Sequence, residues 1–183
     1  MTDKIKLEEN VINPNKKFYT YNRVHQLLEN VAVKIMKSDF RPDYIISIAS
    51  GGNIPSRIMR TYLKVPVLTV GLTLYDENGN HSEKPKITQW LDEVNSQNIK
   101  NKKVLIVDEI DDTRKTLSAC INELWKCGVA DVAVVVINNK IKPKLAKLQI
   151  SESNYFSAEE VDGSLWVCFP WEIVDSNDLV NLE

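Results

Sequence analysis

Three short runs carry apolar residues on both faces: Tyr44-Ile45-Ile46-Ser47-Ile48-Ala49, Val104-Leu105-Ile106-Val107 and Val132 to Ile137. A strand with one wet face alternates apolar and polar side chains. Runs like these belong instead to strands covered on both sides, as in a parallel sheet between helices. The segments between them fit helices. From Thr20, the residues Val24, Leu27, Leu28, Val31 and Ile35 recur at helical spacing until Phe40-Arg41-Pro42-Asp43 breaks the pattern. Ile54 to Leu63 reads as a second helix, with Pro55 tolerable in its first turn. Leu117, Cys120, Ile121 and Leu124 mark one face of a third, which Gly128 ends. Val65 to Tyr75 is a strand with unequal faces, residues 76–87 (DENGNHSEKPKI) have loop composition, and Trp166 to Phe169 reads as a last strand before Pro170-Trp171. The expected fold is α/β, a mostly parallel central sheet with helices on both faces. One domain over residues 18–183 is expected, preceded by a loose polar arm over residues 1–17.

Composition narrows the partners. The 183 residues are 43% apolar and carry a net charge of −2, so no bulk charge calls for nucleic acid or a membrane surface. No apolar run approaches the ~20 residues of a membrane span, and the opening MTDKIKLEEN has no apolar signal core. Cys120, Cys127 and Cys168 form no CxxC, and the first two fall about 10 Å apart along a helix. That separation is too long for a disulfide, which fits a reducing cytoplasm. His25 and His81 are isolated in sequence, which argues against a His/Cys zinc site and a Ser-His-Asp triad.

The chemistry concentrates in Val104–Thr116, VLIVDEIDDTRKT. Asp108, Glu109, Asp111 and Asp112 crowd the carboxyl end of a buried strand, where open α/β sheets bind ligands. Crowded carboxylates need a cation or hydrogen-bond donors such as sugar hydroxyls. Thr113, Arg114, Lys115 and Thr116 then open a helix whose free N–H groups, hydroxyls and dipole suit a phosphate. Hydroxyl or metal recognition followed by phosphate recognition matches a phosphorylated sugar. The plainer alternative is a surface turn with Asp112 as helix N-cap.

This stretch resembles the phosphoribosyl pyrophosphate (PRPP) motif of the type I phosphoribosyltransferases, in which an apolar strand leads to two acids, two variable residues and Asp-Thr-Gly-Lys-Thr. The resemblance implies that Asp108 and Glu109 hold the ribose hydroxyls near a magnesium ion. It makes Asp112 the base at purine N7, and it wraps Asp112, Thr113, Arg114, Lys115 and Thr116 around the 5′-phosphate. Arg114 replaces the usual glycine, an exchange shared with the fungal hypoxanthine-guanine branch. Such a residue strains a turn that needs φ > 0, but adds a charge near the phosphate.

The likeness covers most of residues 18–175 and is closest to the 6-oxopurine enzymes of the fungal and small microbial kind. It implies a pyrophosphate loop at Ser50-Gly51-Gly52, although an ordinary strand-to-helix turn fits these residues equally. Lys140 would donate to the purine 6-oxo group, since an ammonium has donors only. Trp166 would stack on the base and Val167 would offer its carbonyl, within a small C-terminal base-binding hood. The plainer reading puts Trp166 and Trp171 in the core. Glu109, and Glu172 through water, would face the metal. Residues 76–90, with Lys84, Lys86, Thr88, Gln89 and Trp90, would form a mobile flap. The resemblance implies PRPP and a 6-oxopurine as substrates, magnesium as cofactor and a homodimer. A nucleotide-sensing regulator on the same fold and a pyrimidine transferase stay open as alternatives.

Overall fold

The computed structural model describes residues 14–75 and 81–173. In chain order the elements are β1 (Lys16–Phe18), α1 (Tyr21–Lys37), β2 (Tyr44–Ala49), α2 (Asn53–Leu63), β3 (Val67–Tyr75), β4 (His81–Gln89), α3 (Glu93–Asn98), β5 (Lys103–Asp111), α4 (Lys115–Lys126), β6 (Asp131–Ile141), β7 (Tyr155–Asp162) and β8 (Trp166–Cys168). They fall into two compact units. His25–Gly163 makes up the larger, and the described residues up to Val24 and from Ser164 on make up the smaller.

The larger unit holds a six-stranded sheet in the order β4-β3-β2-β5-β6-β7. Every neighbouring pair is parallel except β3 and β4. The apolar runs account for its centre. Ile46, Ile48, Val104, Ile106, Val132, Val134 and Val136 cluster on one face with Leu117, Cys120, Ile121 and Leu124 of α4. The alternate residues Ile45, Leu105, Val107, Ala133, Val135 and Ile137 are also fully buried, so both faces are covered, as the doubly apolar pattern requires. The apolar stripe of α1, including Leu28, Val31 and Ile35, is fully buried too.

Several sequence expectations need correction. The strand expected at Val104–Val107 runs on to Asp111, so three of the four acids lie on β5 instead of following it. The segment expected as a flap loop is, over His81–Gln89, a strand antiparallel to β3. Its polar composition reflects an edge position, where Lys84, Lys86, Thr88 and Gln89 face solvent and Pro85 costs no interior ladder bond. Lys140 lies inside β6, paired in register with Val161 of β7, a strand whose mixed composition concealed it. Lys16 and Lys17, expected in a loose arm, open β1.

In the smaller unit β1 pairs in parallel with β8, with Lys16 opposite Trp166 and Phe18 opposite Cys168. Tyr19 stacks on Phe169 at 5.4 Å, and Phe169 stacks on Trp171 at 4.9 Å. All three cysteines are free thiols. Among the described residues no helix is long and apolar enough to cross a membrane.

Candidate active site

Strands β2 and β5 are neighbours, yet the chain leaves β2 through α2 towards β3 and leaves β5 through α4 towards β6 on the other side. Their carboxyl ends therefore mark the topological switch point, where a crevice opens in sheets of this kind. Two turns occupy it.

The first runs from Ala49 to Asn53 and includes a cis Ala49–Ser50 peptide bond. Close approach of backbone requires Gly52, while Gly51 faces only the movable end of the Glu109 side chain. A Cβ on Gly51 would lie 2.0 Å from the carboxyl carbon of Glu109, and one on Gly52 would lie 2.4 Å from the Val107 carbonyl oxygen. The expected pyrophosphate loop and the expected ribose acids thus meet at one place. Two amides of the loop are committed internally: Gly52 N–H donates to the Ile48 carbonyl at 2.8 Å and Asn53 N–H to the Ser50 carbonyl at 3.2 Å. That leaves Ser50 and Gly51 as the residues whose amides can serve an anion.

The acids follow on β5. Asp108 is buried, and its Oδ1 accepts the Glu109 N–H at 3.0 Å. Burial pushes the Asp108 carboxyl well above the usual range, and the Glu109 charge and then that of Asp111 push it further. Glu109 Oε2 is buried without a hydrogen-bond partner. A buried carboxyl whose ionisation is disfavoured, beside a carboxylate oxygen without a partner, is a donor set that fits a divalent cation or a pair of hydroxyls. Among the described residues no three acidic, histidine or cysteine side chains converge as a metal site, so a cation here would take further oxygens from a ligand.

Asp112 begins the second turn. Lys142 forms a close ion pair with its Oδ1, and Lys140 Nζ lies 3.9 Å from its Oδ2. Asp112 is not the helix cap. Arg114 occupies that position, with φ 71 and no side-chain cap bond. The alternative of a merely capping aspartate therefore fails. The first N–H groups of α4 have no partner within the helix and form a ready anion site beside Thr113 and Thr116. Two lysine and arginine assignments shift. The Arg114 guanidinium does not extend over this turn but pairs with Asp111, with Nε at 2.9 Å and Nη2 at 2.8 Å from Oδ2. Lys115 Nζ donates to the Glu83 carbonyl of β4 at 2.9 Å, so the strand expected as a flap is tied to the start of α4.

Trp166, Val167 and Glu172 lie in the smaller unit. Trp166 is 65% exposed, which excludes the core reading and leaves its ring free to stack on a flat ligand. Val167 is buried in β8, opposite Lys17. Glu172 Oε2 accepts the Phe169 N–H at 3.4 Å.

Lys142, Lys144 and Tyr155 escaped the sequence reading as site residues, and Asp111 entered it only as one of four crowded acids. Tyr155 donates to Asp111 at 2.7 Å, and Lys144 donates to the carbonyls of Asp111, Asp112 and Lys140 at 2.7, 3.1 and 2.8 Å. Burial raises the Tyr155 phenol and Asp111 raises it further, so it remains a donor. A signal existed: lysines at 140, 142 and 144, alternating at the end of an apolar strand, face the acids that end the neighbouring strand.

The model of the phosphoribosyl transferase domain family matches residues 16–169. The hypoxanthine-guanine phosphoribosyltransferase of Schizosaccharomyces pombe is 37% identical over 90% of this chain and 92% of its own. Xanthine phosphoribosyltransferase 1 of Saccharomyces cerevisiae is 37% identical over 88% and 92%. A crystal structure of a hypothetical protein from Neisseria gonorrhoeae with bound ppGpp superposes with a TM-score of 0.77 at 35% identity, covering 91% of this chain and 96% of that one. The purine phosphoribosyltransferase of Pyrococcus horikoshii gives 0.71 at 26% identity, with 88% and 97% covered. With its acids, its glycine loop and the turn that opens α4 gathered at one switch point, and a family match spanning the sheet that carries them, the chain belongs to the phosphoribosyl transferase family.

Proposed function

We propose that this protein transfers the 5-phosphoribosyl group of PRPP to a 6-oxopurine, giving the nucleoside 5′-monophosphate and pyrophosphate. The observation that carries this reading is the 3.9 Å approach of Lys140 Nζ to Asp112 Oδ2. A 6-oxopurine presents its oxo group and N7 side by side on one edge. A donor-only ammonium beside a carboxylate complements an oxo group next to a protonated N7. Adenine, with an amino group at that position, meets the ammonium donor to donor.

Asp112 accepts the N7 proton as N9 attacks C1′ of the ribose, and the bond from C1′ to the pyrophosphate oxygen breaks. Asp108 and Glu109 hold the ribose hydroxyls, while the amides at Ser50 and Gly51 bind the departing pyrophosphate. The turn Asp112–Thr116 holds the 5′-phosphate through the N–H groups of α4. Asp108 and Glu109 would also hold a magnesium ion, directly or through water, and Glu172 through water. When bound, the ion neutralises charge on the pyrophosphate. Trp166 stacks on the purine, a contact of roughly 1–3 kcal/mol in comparable base stacking, and the Val167 carbonyl faces the 2-position. The same family likeness supports a cytoplasmic homodimer.

A second reading, a nucleotide sensor, is favoured by the ppGpp on the Neisseria relative. One assay separates the two. With PRPP and magnesium, hypoxanthine, guanine or xanthine should be converted to its monophosphate, adenine and uracil far more slowly. Nucleotide binding without turnover of any base would support the sensor and defeat the transferase.

A further inference from the structure

Asp111 takes no part in the chemistry described above, yet it is fully buried directly beneath the phosphate turn. Cationic and hydroxyl donors from three segments converge on it. Arg114 reaches Oδ2 through Nε at 2.9 Å and Nη2 at 2.8 Å, Tyr155 Oη reaches the same oxygen at 2.7 Å, and Lys144 Nζ lies 3.5 Å from Oδ1. The guanidinium also lies over the Tyr155 ring, 5.1 Å from its centroid. Lys144 goes on to hold the Asp111 and Asp112 carbonyls and ties them to Lys140.

The backbone makes this cluster more than packing. Arg114 has φ 71, the left-handed conformation that disfavours any side chain but glycine's. The conformation persists only where the surroundings over-determine it. Here the surroundings are the arginine's own contacts, which close the turn from residue 111 to residue 114.

We propose that Asp111, Arg114, Tyr155 and Lys144 form a clamp that sets the conformation of the phosphate turn, making them positioning residues for the 5′-phosphate of PRPP. This rests on the reading that residues 112–116 hold that phosphate. The arginine that stands where a glycine was expected acts downward on Asp111 and not outward on the ligand. Its planar fork and its stacking on Tyr155 are features that lysine cannot reproduce.

Calorimetric titration of magnesium PRPP into the full chain tests this, with magnesium pyrophosphate as the internal control. Arg114→Gly and Arg114→Lys should each weaken PRPP roughly tenfold, the scale of a lost charge-assisted hydrogen bond. Pyrophosphate, held by the other turn, should bind as before. Asp111→Asn should weaken PRPP by a similar or larger factor. In an Arg114→Gly background the same change should cost under about threefold, because neighbours in one network couple. Lysine retaining the affinity that glycine loses would show a direct charge contact with the phosphate and overturn the clamp. Additive effects of Asp111→Asn and Arg114→Gly would overturn it as well. If Asp111→Asn does not fold, the two Arg114 variants and Tyr155→Phe, expected to weaken PRPP a few-fold, decide alone. A wild-type protein that binds PRPP but transfers it to no base defeats the proposed function and leaves this test standing.

Discussion

The two turns at the switch point are built in opposite ways. The turn after β2 is a backbone device: its glycines let the main chain pass within contact of Val107 and Glu109. The turn after β5 contains no glycine. It holds a left-handed residue through a buried carboxylate and the cations around it. Main-chain amides suit a leaving group that must be bound and released, because they carry no full charge. A turn braced from beneath suits a phosphate that stays on the product. The difference also predicts how each turn fails: the first by steric intrusion, the second by loss of charge or geometry.

The largest effect should come from Asp112→Asn. Asparagine keeps the size of aspartate but accepts no proton at neutral pH, so kcat should fall roughly 10²–10⁴-fold. Thermal stability should change little, because Asp112 is not a helix cap and its ion pair with Lys142 is partly exposed. A loss below tenfold in steady-state assays would remove Asp112 as the base. On the backbone turn, Gly52→Ala would drive a methyl group to 2.4 Å from Val107 O and 2.6 Å from Ile48 O. Neither is a flexible side chain that can swing away, so a destabilisation of about 3 kcal/mol is expected in denaturant unfolding. Near-wild-type stability would show that this turn is looser than its contacts imply.

A smaller effect is expected at Lys140. Lys140→Gln should reduce the preference for hypoxanthine over adenine about tenfold while changing PRPP affinity less, since glutamine offers an acceptor as well as a donor. Unaltered base preference in competition assays would free Lys140 of that role. The smallest effect concerns Asp108. Its folded carboxyl titrates above the unfolded one, chiefly because burial penalises the charge. Between those two values the native state binds more protons, so this group's contribution falls as pH rises through the window and stays lost above it. Asp108→Asn should therefore be more stable than wild type at pH 8, with the gain shrinking as pH falls back towards the unfolded carboxyl's range. A melting temperature below wild type at pH 8 would contradict this.

The sheet centre was legible because three strands are apolar on both faces, and burial on both sides leaves few alternatives. β4 and β7 were not, because an edge strand with solvent on one side reads as a loop. The acid turn was legible as chemistry, since four carboxylates in five residues need an explanation. Its geometry was not. Nothing local says that β5 continues through the acids, that Asp111 turns inward while Asp112 turns outward, or that Arg114 points down. Those facts depend on Lys144 and Tyr155, distant in sequence and brought in by β6 and β7. The exposed Trp166 shows the same limit from the other side, because a tryptophan next to apolar residues reads equally well as core.

On the proposed reading, the two turns hold opposite ends of one PRPP molecule. The most direct test of this is a calorimetric titration of ribose 5-phosphate into the protein, with and without saturating magnesium pyrophosphate. If the turns are separate sites, ribose 5-phosphate binds in both cases, and Arg114→Gly weakens it without weakening pyrophosphate. If pyrophosphate instead displaces ribose 5-phosphate competitively, the two ligands share one turn and the division of labour proposed here is wrong.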